Sequence, residues 1–131
     1  MVGVNESKRV VFLCSGGGGN VSFTQHAIQR GWLLEAKIVG VLTDRHCLAN
    51  DFATRIGLYN LIIEFKDDGK NTLLSQLDDL KPYLIVTTIH KIIGPEVVER
   101  YQNNLINLHY SLLPAFSGLI GTRPVNAALD H

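Results

Sequence analysis

Cysteine, unbalanced charge and long apolar runs are all scarce in this sequence, and each shortage removes a class of protein. Two cysteines in 131 residues cannot make a disulfide framework. Cys14 sits inside an apolar run and Cys47 just after one. Both read as reduced thiols, the pattern of a cytoplasmic protein. Lysine plus arginine number 12 and aspartate plus glutamate 12, for a net charge of +0. With no basic run, nucleic acid is not the expected partner, because such a partner leaves a clustered basic face. No apolar stretch reaches the length of a bilayer crossing. The first nine residues lack the apolar core of a signal peptide. Neither a membrane nor an export route is therefore expected. Internal repeats and low-complexity linkers are also lacking.

What is present is the material of one globular domain. Hydrophobic residues make up 46% and charged ones 18%, enough apolar surface for a real core. Strand-like and helix-like stretches alternate along the chain. Val10–Cys14 is a short apolar run that ends in Ser15-Gly-Gly-Gly-Gly-Asn20. A helix is expected from Val21 to Arg30, with Asn20 as its N-cap and Gly31 as its stop. Lys37–Leu42 reads as a strand, and Ala49–Ile56 as a helix closed by Gly57. Tyr59–Phe65 reads as a third strand. Leu73, Leu74, Leu77 and Leu80 then recur at helical spacing.

The alternation continues to the end. Tyr83–Thr88 is a fourth strand, Gly94-Pro95 opens a helix, and Leu105–His109 is a fifth strand. A last helix is expected from Thr122, carrying Val125, Ala128 and Leu129. Such alternation predicts an α/β fold, a Rossmann-like doubly wound parallel sheet of about five strands. Ligands of such sheets lie beyond the carboxyl ends of the strands. Residues 15–20, 87–94 and 107–118 occupy those ends and should converge.

Two of these segments carry residue types suited to chemistry. Successive glycines between a strand and a helix let backbone N–H groups turn toward an anion at the helix N-terminus. The competing reading is a glycine-rich tight turn. No Gly-Lys-Ser/Thr follows, so this is no Walker loop, and the dinucleotide spacing is not met either. Asn107 and His109 stand two apart on a strand and so share a face. An amide N–H can stabilise an oxyanion and an imidazole can move a proton near neutral pH. The alternative is two polar residues satisfied at a strand end. His90 and Lys91, after the fourth strand, decide nothing alone. No metal site is expected.

The order of these elements resembles the folate-dependent formyltransferases. Ser15–Asn20 is similar to the phosphate loop of the glycinamide ribonucleotide branch. Ile106-Asn-Leu-His109 followed by Ser111-Leu-Leu-Pro-Ala-Phe-Ser-Gly118 resembles the signature of the family at large. The likeness runs from about residue 8 to residue 131. It implies formyl transfer from 10-formyltetrahydrofolate, as co-substrate, to an amine of a small molecule. Sugar amines, or water as in the formyltetrahydrofolate hydrolases, are the alternative acceptors. Asn107 would hold the formyl oxygen and His109 would move the proton. Gly17, Gly18, Gly19 and Asn20 would cradle a substrate phosphate. His90, Lys91, Ile92 and Ile93 would line the folate pocket. A cis Leu113–Pro114 bond is implied as well.

Departures from the family pattern bear on the acceptor. Gly19 stands where the ribonucleotide enzymes usually carry serine, Tyr110 where they carry proline, and Lys91 where arginine is usual. The family's catalytic aspartate has no match before His131. The resemblance thus implies one formyltransferase-type domain over residues 1–131 with its C-terminal portion missing. Weak turnover, a purely binding role, and self-association through the exposed strand edge at Leu105–His109 follow as expectations.

Overall fold

The computed structural model describes residues 7–16, 18–33, 35–64, 69–88 and 94–107. In chain order these residues form β1 (Lys8–Cys14), α1 (Gly19–Gln29), β2 (Ala36–Thr43), α2 (Leu48–Arg55), β3 (Asn60–Ile62), α3 (Gly69–Leu80), β4 (Leu84–Thr87), α4 (Pro95–Tyr101) and β5 (Leu105–Asn107). The five strands form one sheet in the order β3-β2-β1-β4-β5, and every pairing is parallel. This is the expected doubly wound α/β architecture. β1 lies at the centre, and the direction of winding reverses between β1 and β4.

The sequence of β1 explains its central place. A strand buried on both faces must be apolar at every position rather than at alternate ones. Val10, Phe12 and Cys14 point to one face, where they meet Val21 and Ala27 of α1 and Ala49 and Ala53 of α2. Val11 and Leu13 point to the other, against Leu73 and Leu77 of α3 and Val97 of α4. Two apolar layers thus clamp one sheet. Strand β2 holds one extra residue against β1, since Val10 pairs with Ile38 but Val11 with Gly40. This bulge turns the side of β2 at Gly40 toward Leu80 of α3.

Glycine ends two of the helices by one mechanism. After α1, Gly31 has φ 79°, its N–H donates to the Ile28 carbonyl, and the Trp32 N–H donates to Ala27. After α2, Gly57 has φ 81°, its N–H donates to Thr54, and the Leu58 N–H donates to Ala53. Both are Schellman motifs, which only a left-handed residue closes without strain. Both stops were expected from the sequence. At α4, Gly94 is the N-cap and Pro95 the first helical residue, again as expected.

The start of α1 differs from expectation. The helix begins at Gly19, its N-cap is Gly18 at φ 78°, and Asn20 lies inside the first turn. A left-handed glycine can turn the chain into the helix earlier than an asparagine cap would. Strand β3 is also shorter than expected, and only Asn60–Ile62 pair with β2. The last expected helix and the Leu113–Pro114 bond lie outside the described residues.

Candidate active site

The register of the sheet sets out the carboxyl end row by row. Leu13 of β1 pairs with Thr87 of β4, and Thr87 pairs with Asn107 of β5. Adjacent strands stand about 4.8 Å apart, so Asn107 lies roughly 10 Å across the sheet from Leu13. The glycine loop opens two residues past Leu13. The described parts of the three segments expected to converge, 15–16 with 18–20, 87–88 and 107, therefore do so at the switch point. Asn107 is exposed there, and the strand alternation puts it on the side of the sheet that Leu105 packs toward α3 and α4.

The loop is shaped by glycine for two separate reasons. Gly18 needs its left-handed backbone, and a Cβ there would stand 2.8 Å from the Ala49 Cα and 2.9 Å from its Cβ. The loop thus rests directly on the α2 backbone. Gly19 is the opposite case, with nothing within 4 Å of a Cβ. A side of the loop is open where α1 begins. Gly18 offers no side chain to the first turn, the first turn holds no acidic residue, and the Ser22 N–H already bonds the Gly18 carbonyl at 2.9 Å. The first turn of α1 therefore carries neither a side-chain cap nor an acidic residue of its own to offset the positive end of the helix.

A buried polar cluster from β2 and α2 flanks the loop. Asp44 follows β2 directly, and its side chain is fully enclosed at 0% exposure. Arg45 donates to its two oxygens at 3.3 Å and 3.1 Å, and Ser15 of the loop also bonds to it. Burial alone would raise the Asp44 carboxyl. The bonds from Arg45 and Ser15, with the Arg45 charge, outweigh that and hold it below the ordinary aspartate value of 3.8. One residue earlier, the Thr43 hydroxyl donates to Asn50 Oδ1 at 3.0 Å, which also accepts the Cys47 N–H at 3.1 Å. Asn50 Nδ2 donates to Asn60 Oδ1 at 3.2 Å. Asn50 thereby ties the ends of β2 and β3 to the first turn of α2.

Two clefts open from the start of α1. One of about 290 Å³ runs between α1 and α2, lined by Gly18, Gly19, Ser22, Leu48, Asp51, Phe52 and Arg55. The other, of about 490 Å³, follows the outer face of α1 past Phe23, His26, Arg30 and Trp32. Two further clefts border Lys8 at the amino end of β1, far from any motif. On the sheet itself, Cys14 is enclosed beside Cys47 and bonded by Thr88. Burial, aided by the neighbouring Cys47, pushes its thiol up to about 12, against a smaller opposing effect of the Thr88 bond. Cys14 is thus a packing residue and no nucleophile at neutral pH.

Of the residues singled out from sequence, Gly18, Gly19, Asn20 and Asn107 are placed at the carboxyl end of the sheet. Gly17, His90, Lys91, Ile92, Ile93 and His109 lie outside the described residues. Sequence reasoning missed Asp44 and Arg45. The available signal was position, since Asp44-Arg45 directly follows the apolar run of β2. Among the described residues, no group of three or more His, Cys, Asp or Glu could hold a metal ion. Among the described residues, no helix is long and apolar enough to cross a membrane.

A parallel sheet with a glycine loop at its switch point and an asparagine at a strand end two strands away defines the class. The chain belongs to the formyl transferase family, whose model matches residues 8–131. Formyltetrahydrofolate deformylase of Haemophilus influenzae is 39% identical over 57 residues, 43% of this chain and 19% of that protein. The chloroplastic phosphoribosylglycinamide formyltransferase of Vigna unguiculata is 29% identical over 123 residues, 89% of this chain and 39% of that protein. The phosphoribosylglycinamide formyltransferase structure from Brucella melitensis superposes with a TM-score of 0.77 at 30% identity. That superposition covers 95% of this chain and 67% of the Brucella one. The matched region is therefore a fifth to two fifths of the two curated relatives.

Proposed function

We propose that the chain transfers a formyl group from 10-formyltetrahydrofolate to an amine, with glycinamide ribonucleotide, a purine precursor, as the acceptor. The observation that carries this reading is that an open glycine loop and Asn107 lie at the same carboxyl end of the sheet. The loop suits a phosphate, and Asn107 stands about 10 Å across the sheet from Leu13, two residues before the loop begins. The likeness to phosphoribosylglycinamide formyltransferases over nearly the whole chain supports the same acceptor.

In this reading Gly17, Gly18, Gly19 and Asn20 hold the acceptor's phosphate through backbone N–H groups. His90, Lys91, Ile92 and Ile93 wall the folate side. The folate supplies the activated formyl group. The acceptor amine attacks the formyl carbon, and the carbonyl electron pair moves to oxygen, where the Asn107 amide N–H stabilises the charge. His109 takes the amine proton and passes it to the folate nitrogen as the carbon–nitrogen bond breaks. The products are a formylated amine and tetrahydrofolate. Water in place of the amine would give formate, and the similarity to the Haemophilus deformylase keeps that reaction as the second reading.

The test is incubation with 10-formyltetrahydrofolate, with and without glycinamide ribonucleotide. Release of tetrahydrofolate that requires the ribonucleotide and yields formylated product supports the proposal. Formate released without an amine establishes the hydrolase instead. Turnover with neither acceptor refutes both.

A further inference from the structure

Strand β5 is the least determined strand of the sheet. It spans only Leu105–Asn107, and among the described residues it pairs with β4 alone. Its apolar pattern does not choose a face. Leu105 packs against α3 and α4, while Ile106, just as apolar, stands 47% exposed. A slip of one residue would exchange the two at little hydrophobic cost. It would also send Asn107 to the opposite face and move it about 3.3 Å along the sheet. Something other than the apolar pattern must fix this strand.

Asn104, in the turn from α4 into β5, stands where it can. Its N–H donates to the Tyr101 carbonyl at 2.8 Å, and its carbonyl accepts the Ile85 N–H of β4 at 2.7 Å. A parallel ladder carried one step further back would have the Tyr83 carbonyl accept the Asn104 N–H, but that donor is committed to Tyr101. The side chain takes its place, and Asn104 Nδ2 donates to the Tyr83 carbonyl at 2.9 Å. One residue thus closes the turn after α4 and extends the ladder of β5. The turn is itself tied down, since the Tyr101 hydroxyl donates to Asp78 of α3 at 2.6 Å.

We propose that Asn104 is the positioning residue of β5, its side-chain amide locking the strand in the register that sets Asn107 opposite Thr87. A slip in one direction brings Leu105, which has no side-chain donor, to the Tyr83 carbonyl. A slip in the other brings Asn103 there but draws Asn104 into the strand and breaks its bond to Tyr101. Only the observed register keeps every one of these bonds. Asn104 touches no substrate and acts only through Asn107. Its consequence for catalysis rests on the proposed role of Asn107 at the formyl oxygen; the lock itself does not.

Two measurements on the whole chain test this. In the first, cross-strand contacts seen by NMR report the register. The parent and Asn103→Ala should pair Val86 with Ile106 and Thr87 with Asn107. Asn104→Ala should also pair Val86 with Leu105 or Asn107, because losing one hydrogen bond shifts the ratio of registers about 10-fold. An Asn104→Ala chain that keeps the parent contacts alone overturns the proposal. In the second, formyl transfer to glycinamide ribonucleotide is followed. Asn104→Ala should lower kcat about 10-fold with KM for the ribonucleotide unchanged, and should cost nothing further once Asn107 is replaced by alanine. The same loss in both backgrounds, or a change in KM alone, overturns the positioning role. A parent chain without turnover sinks the reading of Asn107 and leaves the cross-strand contacts to decide the lock. Should Asn104→Ala fail to fold, Asn104→Asp, which keeps the size and loses the donor, decides by the same two measurements.

Discussion

Replacing Gly18 by alanine separates the two demands the loop makes on its glycines. The first cost is conformational. At φ 78° an L-residue sits in the left-handed region, which costs about 1–2 kcal/mol. The second cost is steric. The new Cβ would stand 2.8 Å from the Ala49 Cα, where carbon atoms prefer about 3.5 Å or more, so α1 and α2 must part by roughly 0.7 Å. The obstacle is helix backbone and cannot rotate aside, so an overpacking cost of about 1–3 kcal/mol applies. Together the loss is about 2–5 kcal/mol. The neighbouring substitution Gly19→Ala is the control. Its Cβ meets nothing within 4 Å, and the residue is already helical. Alanine there should stabilise by about 0.5–1 kcal/mol. Urea unfolding of the three proteins measures both effects at once. Opposite signs at adjacent glycines are expected. If Gly18→Ala unfolds within 1 kcal/mol of the parent, or Gly19→Ala falls with it, the close approach of loop and α2 is wrong.

The remaining predictions concern the cluster, the thiols and the proposed chemistry. Asn50→Ala strands the Thr43 hydroxyl and the Cys47 N–H, and should cost about 2–4 kcal/mol by chemical denaturation. Cys14 should resist iodoacetamide in the folded chain and react only on unfolding, while the half-buried Cys47 labels first, as read by mass spectrometry. The raised Cys14 thiol favours the neutral form in the fold. Its contribution is therefore complete below the ordinary value of 9.0 and lost as pH rises toward about 12, which alkaline unfolding should show and Cys14→Ala should blunt. Asp44 has the opposite sign. Its lowered carboxyl supports the fold at neutral pH and stops doing so only as pH falls below 3.8, so acid unfolding should shift upward in Asp44→Ala. On the proposed reaction, Asn107→Ala should lower kcat by about 10²–10³-fold with little change in phosphate affinity.

The scaffold was readable because its signals are local and redundant. The unbroken apolar run of β1, the glycine stops at Gly31 and Gly57 and the Gly94-Pro95 start each reflect a rule that acts within a few residues. The start of α1 was misjudged because two rules competed there. Asparagine is a good cap, but a left-handed Gly18 resting on Ala49 turns the chain first, and that contact joins residues distant in sequence. The same holds for Asp44. Nothing in the dipeptide Asp44-Arg45 announces a contact to Ser15; only the adjacency of β1 and β2 makes one. Asn107 could be nominated from its strand position, but its neighbourhood to the loop needed the order of β1, β4 and β5.

The sheet order also prescribes a timetable for folding. β1 leaves the ribosome before its partners, and the first of them, β2, follows after a single helix. Its second partner does not exist until Leu84–Thr87 has been made, more than half the chain later. Closing that long loop is slow, because entropy is lost before the contacts form. Through that interval the Val10–Leu13 edge carries open backbone groups and bare apolar side chains, the features from which intermolecular β-structure grows. Misassembly in the cell is therefore a matter of synthesis rate at this one seam. Slowing translation between β2 and β4 should lower soluble yield, and supplying a chaperone that shields nascent strands should restore it.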